Sequence, residues 1–277
     1  MKSAVTISLV PEARGGPFVY WGDLAGNIEK AARLGFDGVE IFPGSAPDLD
    51  PAALRKLLEQ HHLQLAAIGT GGGWARHKLR LTDPDAAIRQ RARSFAAELI
   101  DLAGGFGAPA IVGSMQGRWG DGVTREQALA WLREAFDELA ARAAKHRTFI
   151  LYEPLNRFET NVINTIEEAL KFLGSLREKN VKLLCDLFHM NIEERNLADA
   201  LRGAGDRVGH IHFVDSNRLA IGFGHTDVGP IIDALRELRY DGFLSAEALP
   251  LPDSDTAAKQ SIDAFRQCAG APARKLR

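Results

Sequence analysis

Eight short apolar runs, each followed by a longer stretch of helical period, recur along the 277-residue chain. The runs are AVTISLV (4–10), DGVEIFP (37–43), LQLAAIGTG (63–71), APAIVGSM (108–115), TFILYEPL (148–155), VKLLCDLFH (181–189), VGHIHFVDS (208–216) and GFLSAEALP (242–250). Near-continuous Val, Ile and Leu is what a parallel strand requires when both of its faces are covered. The intervening stretches place apolar residues on one helical face, as with Leu129, Leu132, Phe136 and Leu139 within 126–146. Glycines such as Gly35 and Gly107 follow helical stretches, where a left-handed cap is needed. No Pro/Ser-rich linker divides the chain, so the pattern predicts one α/β domain over 1–277, a single (β/α)8 TIM barrel. An open doubly wound sheet would carry a GxGxxG or GKS/T loop after its first strand, and PEARGGPFVYWGD has neither.

The balance of 34 basic and 36 acidic residues gives a net charge of −2. A chain whose partner is a nucleic acid or an anionic membrane usually carries a basic excess, so neither partner is expected. No apolar run approaches the roughly 20 residues that cross a bilayer. The N-terminal MKSAVTISLVPEARGG lacks the pattern of a signal peptide, and two cysteines imply no disulfide framework. A cytoplasmic protein is expected.

Polar residues interrupt the last four runs where they should end. Glu153 follows ILY, Asp186 follows LLC, His212 lies in GHIHFVDS, and Glu247 lies in FLSAEAL. The intervals between them are 33, 26 and 35 residues, each about one strand–helix unit. The four should therefore stand at one height on consecutive strands spaced about 4.8 Å apart, at the C-terminal mouth where barrels do chemistry. Three carboxylates brought together repel unless a cation compensates. Three carboxylates and an imidazole suit one divalent ion, Mn²⁺, Co²⁺ or Mg²⁺, better than a thiolate-rich structural zinc site. Taken singly, an acidic residue at a strand end is more often a helix N-cap or a salt-bridge partner. Cys185 should point away from Asp186, and His210 reads as structural.

The segments NRFE after Glu153, DLFHMNIEE, HIHFVDSNR and AEALPLP resemble the ketose 3-epimerase family of xylose-isomerase-like TIM barrels, most densely over 148–252. That family contains D-tagatose and D-psicose (allulose) 3-epimerases. GTGGGW and EPLNRFETNVINTIEEAL are similar to its 5-keto-L-gluconate epimerase branch. The resemblance implies a sugar substrate, a homodimer or homotetramer, and one Mn²⁺ or related ion held by Glu153, Asp186, His212 and Glu247. It further implies that Glu153 and Glu247 are an acid/base pair on opposite faces of the sugar carbon. Glu159, His189 and Arg218 would bind substrate oxygens, and Glu40 would line the same mouth.

Epimerisation beside a ketone needs a proton removed from one face and another delivered to the other through a cis-enediolate. The same site would serve an aldose–ketose isomerase, a dehydratase or a lyase. An endonuclease IV-like repair enzyme would need further histidines where this chain has GTGGG and GSMQG. Arg118, in GSMQGRWGDG, reads either as a clamp for a substrate carboxylate or phosphate or as a surface arginine. Trp119 is expected to cover the sugar, with Trp21 and Trp74 as weaker candidates. His189 reads as a substrate ligand or a packed core histidine, and Glu193 and Glu194 as a solvated surface pair.

Overall fold

A computed structural model describes residues 1–269; the end of the expected domain, 270–277, lies outside the described residues. Nine strands form among the described residues: β1 Lys2–Ser8, β2 Tyr20–Trp21, β3 Gly38–Phe42, β4 Gln64–Gly69, β5 Ala110–Val112, β6 Ile150–Tyr152, β7 Val181–Asp186, β8 Val208–His212 and β9 Phe243–Ala246. All pairings between them are parallel, in the order β2-β1-β3-β4-β5-β6-β7-β8-β9, and β9 returns to pair with β1. That last pairing closes the sheet and excludes the open doubly wound alternative. The eight closing strands coincide with the eight apolar runs. The added strand, β2, pairs with Ile7 and Ser8, beyond the Lys2–Val5 stretch that β9 covers, and so extends the seam at the mouth.

The seven closing strands after β1 are each shorter than their apolar runs. The sixth run illustrates why: β7 stops at Asp186, and Leu187–Glu193 is a helix that Asp186 caps. His189 therefore sits on a helical turn above the barrel rather than at a strand end.

Helices alternate with the strands and are set by local signals. Thr124 and Gln127 form a reciprocal capping box at the start of Arg125–Lys145, and Gly35, at φ 81°, closes Leu24–Leu34. The main apolar core lies between strands and helices and includes Val5, Ile41, Phe136 and Cys185. A second cluster fills the barrel itself, with Phe42, Ala67, Ile111, Leu151 and Leu184 beneath Phe18. No helix among the described residues is long and apolar enough to cross a membrane.

Candidate metal centre and substrate pocket

Asp186 ends β7 directly opposite His212 on β8, while Glu153 and Glu247 follow β6 and β9 by one residue. One ligand atom from each of the four lies within 4.8 Å of the others. Their focus is His212 Nδ1, which stands 3.1 Å from Asp186 Oδ2, 3.3 Å from Glu247 Oε2 and 3.6 Å from Glu153 Oε1. The sequence period thus brings all four expected ligands together. Asp186 fills the ordinary role and the special one at once. Its Oδ1 accepts from the backbone N–H groups of Phe188 and His189 at 2.7 and 3.3 Å, while Oδ2 faces His212.

The electrostatics follow from enclosure. Burial pushes the Glu153 carboxyl up. Burial would raise Asp186 too, but His189 and His212 hold it well below the usual carboxylate range. Burial would lower His212, yet Glu247, Glu40, Asp186 and Glu153 hold its imidazolium well above the usual histidine range. A metal-free site thus keeps a proton where a cation would compensate the carboxylates. Hard oxygen donors with a single imidazole fit Mn²⁺, Mg²⁺ or Co²⁺.

His189 is 1% exposed, with Nε2 3.8 Å from Glu153 Oε1 and 3.9 Å from Asp186 Oδ2. Neither distance is a hydrogen bond, and Nε2 is buried without a partner. The other side of the ring is fixed by Asn156, whose Oδ1 accepts from Phe158 N at 3.0 Å. This orients the amide so that Nδ2 donates to Glu159 Oε1 at 3.0 Å and faces His189 Nδ1 at 2.7 Å. Nδ1 is thereby the acceptor, and Nε2 carries a proton free for a ligand. Arg218 reaches Glu159 Oε1 at 2.8 Å and Glu247 Oε2 at 3.4 Å, with its guanidinium 4.6 Å from the Phe188 ring centre. The loop presenting it is organised by buried Asp215, whose carboxylate accepts from the backbone N–H groups of Ser216, Gly222, Gly224 and Thr226.

A cavity of about 200 Å³ opens over this centre. Glu153, Glu159, His189, Arg218 and Glu247 line one side, and Phe18, Phe42, Trp74 and Ile111 the other. Thr70 Oγ1 and Arg218 Nε, like His189 Nε2, are buried beside it without partners, as expected where a polyhydroxylated ligand completes the hydrogen bonding. A second cavity of about 250 Å³ adjoins it, sharing Trp74, Ser114, Leu155 and Glu159 and adding Arg80 and Arg118. A larger cleft of about 900 Å³ lies at the opposite, N-terminal ends of the strands, beside Lys2, Gln64 and Lys182. The four-ligand centre belongs to the smaller cavity, and chemistry follows the ligands rather than the volume.

Three expectations need correction. Glu40 does not line the mouth: it is 0% exposed, with Oε2 2.7 Å from His210 Nε2 and Oε1 3.0 Å from His212 Nε2. Trp119 does not line either mouth cavity, because its indole N–H donates to Asn161 O at 2.5 Å; Trp74 holds the covering position. Glu193 and Glu194 are not a solvated pair. Glu193 receives the Arg157 guanidinium at 2.8 Å with its own side chain 5% exposed, and Glu194 accepts from Ile166 N at 2.7 Å. Asn156 and Asp215 were not expected from the sequence. Asn156 and Asp215 stood inside the quoted segments NRFE and HIHFVDSNR, and polar residues flanking a ligand were the available signal.

The fold is a closed parallel barrel with four side chains at its mouth that could hold one metal ion. The chain belongs to the xylose isomerase-like TIM barrel family, whose model matches residues 28–268. It is similar to D-psicose 3-epimerase of Enterocloster bolteae, at 34% identity over 81% of this chain and 78% of that protein. A shorter match, 35% identical over 46% of this chain and 48% of the other, is to 3-dehydro-D-guloside 4-epimerase of Escherichia coli. Among solved structures it superposes on D-allulose 3-epimerase from Methylomonas sp. in complex with D-allulose, with a TM-score of 0.81, 27% identity and coverage of 97% and 98% of the two chains. These relatives make the chain a carbohydrate epimerase or isomerase.

Proposed function

We propose that the chain epimerises ketoses or keto-sugar acids at the carbon beside the ketone, using one divalent ion and the Glu153/Glu247 pair. The observation that carries this reading is the convergence of three carboxylates, from Glu153, Asp186 and Glu247, on His212 Nδ1 at 3.1–3.6 Å. Glu153, Asp186, His212 and Glu247 would hold the ion, Mn²⁺ first among Mn²⁺, Co²⁺ and Mg²⁺. Held by these residues, such an ion would supply Lewis-acid positive charge beside the ketone.

The residues divide the rest of the work. Glu247 carboxylate, held against Arg218, removes the proton from one face. Glu153 delivers a proton to the other face, and the reverse reaction exchanges the roles. His189 donates its free Nε2–H to a substrate oxygen, and Arg218 supplies fixed positive charge beside the enediolate. Phe18, Phe42, Ile111 and Trp74 exclude water and pack against the sugar's C–H face. The adjoining cavity, with Arg80 and Arg118, supports a substrate that extends to an anionic group. The match to a 4-epimerase favours a second reading, in which the same pair acts at C4 of a 3-keto sugar.

The test is NMR in D₂O. The metal-free protein is loaded with Mn²⁺ for activity and Mg²⁺ for spectra, then offered ketohexoses, keto-hexonates and 3-keto glycosides. Deuterium at the carbon beside the ketone, together with the corresponding epimer, is expected, and is lost in Glu247→Gln. An aldose or a dehydrated product would replace the epimerase reading with isomerase or dehydratase. Near-wild-type exchange in Glu247→Gln would remove Glu247 from the proton transfer.

A further inference from the structure

We infer that Glu40 is a positioning residue for the metal centre: it accepts the Nε2 proton of His212, turning Nδ1 as a lone pair toward Glu153, Asp186 and Glu247, while His210 clamps its other oxygen. This rests on the metal reading above. Glu40 stands on β3 and the two histidines on β8, with β1 and β9 between them in the sheet, so the contact crosses the barrel interior. All three side chains are at most 2% exposed.

The chemistry leaves few choices. A carboxylate only accepts, so His212 Nε2 at 3.0 Å from Oε1 must carry its hydrogen. In the neutral ring the lone pair is then on Nδ1, the atom 3.1 Å from Asp186 Oδ2. Such a carboxylate behind a metal-binding imidazole fixes the ring and raises its basicity. His210 answers a second need. It satisfies Oε2 at 2.7 Å, which would otherwise be a buried unpaired acceptor. The two rings stand nearly perpendicular, at 83° with centres 5.7 Å apart, so they hold the carboxylate from two directions. Glu40, His210 and His212 also lie close enough to form a metal site of their own. Separate carboxylate oxygens at hydrogen-bond distance from separate imidazoles favour the hydrogen-bonded arrangement.

The experiment is calorimetric titration of Mn²⁺ into metal-free wild type, Glu40→Gln and His210→Gln. Wild type is expected to bind one ion. Glu40→Gln should weaken Mn²⁺ binding by roughly 10–100-fold while the metal-free variant unfolds near the wild-type temperature. His210→Gln keeps an N–H donor for Glu40 and should lose less. Nitrogen-15 spectra of Mg²⁺-loaded wild type should show His212 protonated on Nε2. Unchanged affinity in Glu40→Gln, two ions per wild-type chain, or a proton on His212 Nδ1 in the Mg²⁺-loaded protein would each overturn the inference. The tautomer is read on the unaltered protein, so a Glu40→Gln variant that fails to fold leaves it decidable. Metal binding without sugar exchange would sink the proposed function and leave this inference standing.

Discussion

Replacing Gly113 with alanine perturbs the proposed acid/base pair without substituting either member. A Cβ at residue 113 would lie 2.2 Å from Glu153 Oε2, while ordinary contact begins at 3.4 Å. The oxygen must therefore retreat by about 1.2 Å (3.4 − 2.2). The backbone cannot absorb this: Glu153 N donates to Val112 O at 3.1 Å, and Glu153 O accepts from Gln116 Nε2 at 3.1 Å. The side chain must swing, and a misplacement on the order of 1 Å costs about 100-fold in rate, or about 2.7 kcal/mol of transition-state stabilisation. Metal affinity should fall as well, since Glu153 is one of the four proposed ligands. The assay is kcat/KM at saturating Mn²⁺, alongside a Mn²⁺ titration and a melting curve. Gly203→Ala serves as the control, because nothing lies within 4 Å of its added Cβ; it should keep full activity and gain at most about 1 kcal/mol of helix stability. If Gly113→Ala matched wild type in both rate and metal affinity, the crowding around Glu153 would not constrain its chemistry.

Chelation should lower both activity and melting temperature, and Mn²⁺ at about 100 times its Kd should restore about 2.7 kcal/mol of stability. Because His212 is held protonated in the metal-free protein, an incoming ion must displace that proton, so affinity should rise with pH. Calorimetry in buffers of different ionisation heat would detect the released proton, and a pH-independent affinity near neutrality would refute the assignment. Asn156→Ala removes the amide donor that faces His189 Nδ1 and leaves the ring unfixed; kcat should fall about 10-fold or more, with metal affinity little changed. Arg118→Ala should raise KM for acidic sugars about 10-fold and leave neutral sugars nearly unaffected; equal effects on both would argue against an anion clamp.

The parts of this molecule that were legible in the sequence are those set by short-range pattern. Strands covered on both faces read as unbroken apolar runs, and four polar breaks at one repeat length carried the ligand set. What escaped depends on partners far along the chain. Glu40 looked like a mouth residue because GVEIF ends a strand, but its surroundings are fixed by histidines 170 and 172 residues away. Trp119 and Trp74 are alike as letters; a clasp to Asn161, 42 residues on, decides between them. Glu193 looked solvated until Arg157, 36 residues earlier, folded over it. The two-residue β2 has no periodicity of its own and exists because β1 offers it a free edge.

The four converging ligands, and with them His189 and Arg218, all come from the chain after β5, whereas Phe18, Phe42, Trp74, Ile111 and Arg118 come from the chain before β6. The aromatic cover and the arginines of the adjoining cavity thus come from the first half of the chain, while the second half supplies the converging carboxylates together with the polar contacts Glu159, His189 and Arg218. A lineage could change the sugar it prefers by altering or recombining the first half while inheriting the reactive half intact. Glu40 and Gln116 bind the halves together, one behind His212 and the other behind Glu153. A transplanted first half would therefore have to bring a carboxylate and an amide at those two positions before any new preference could be expressed.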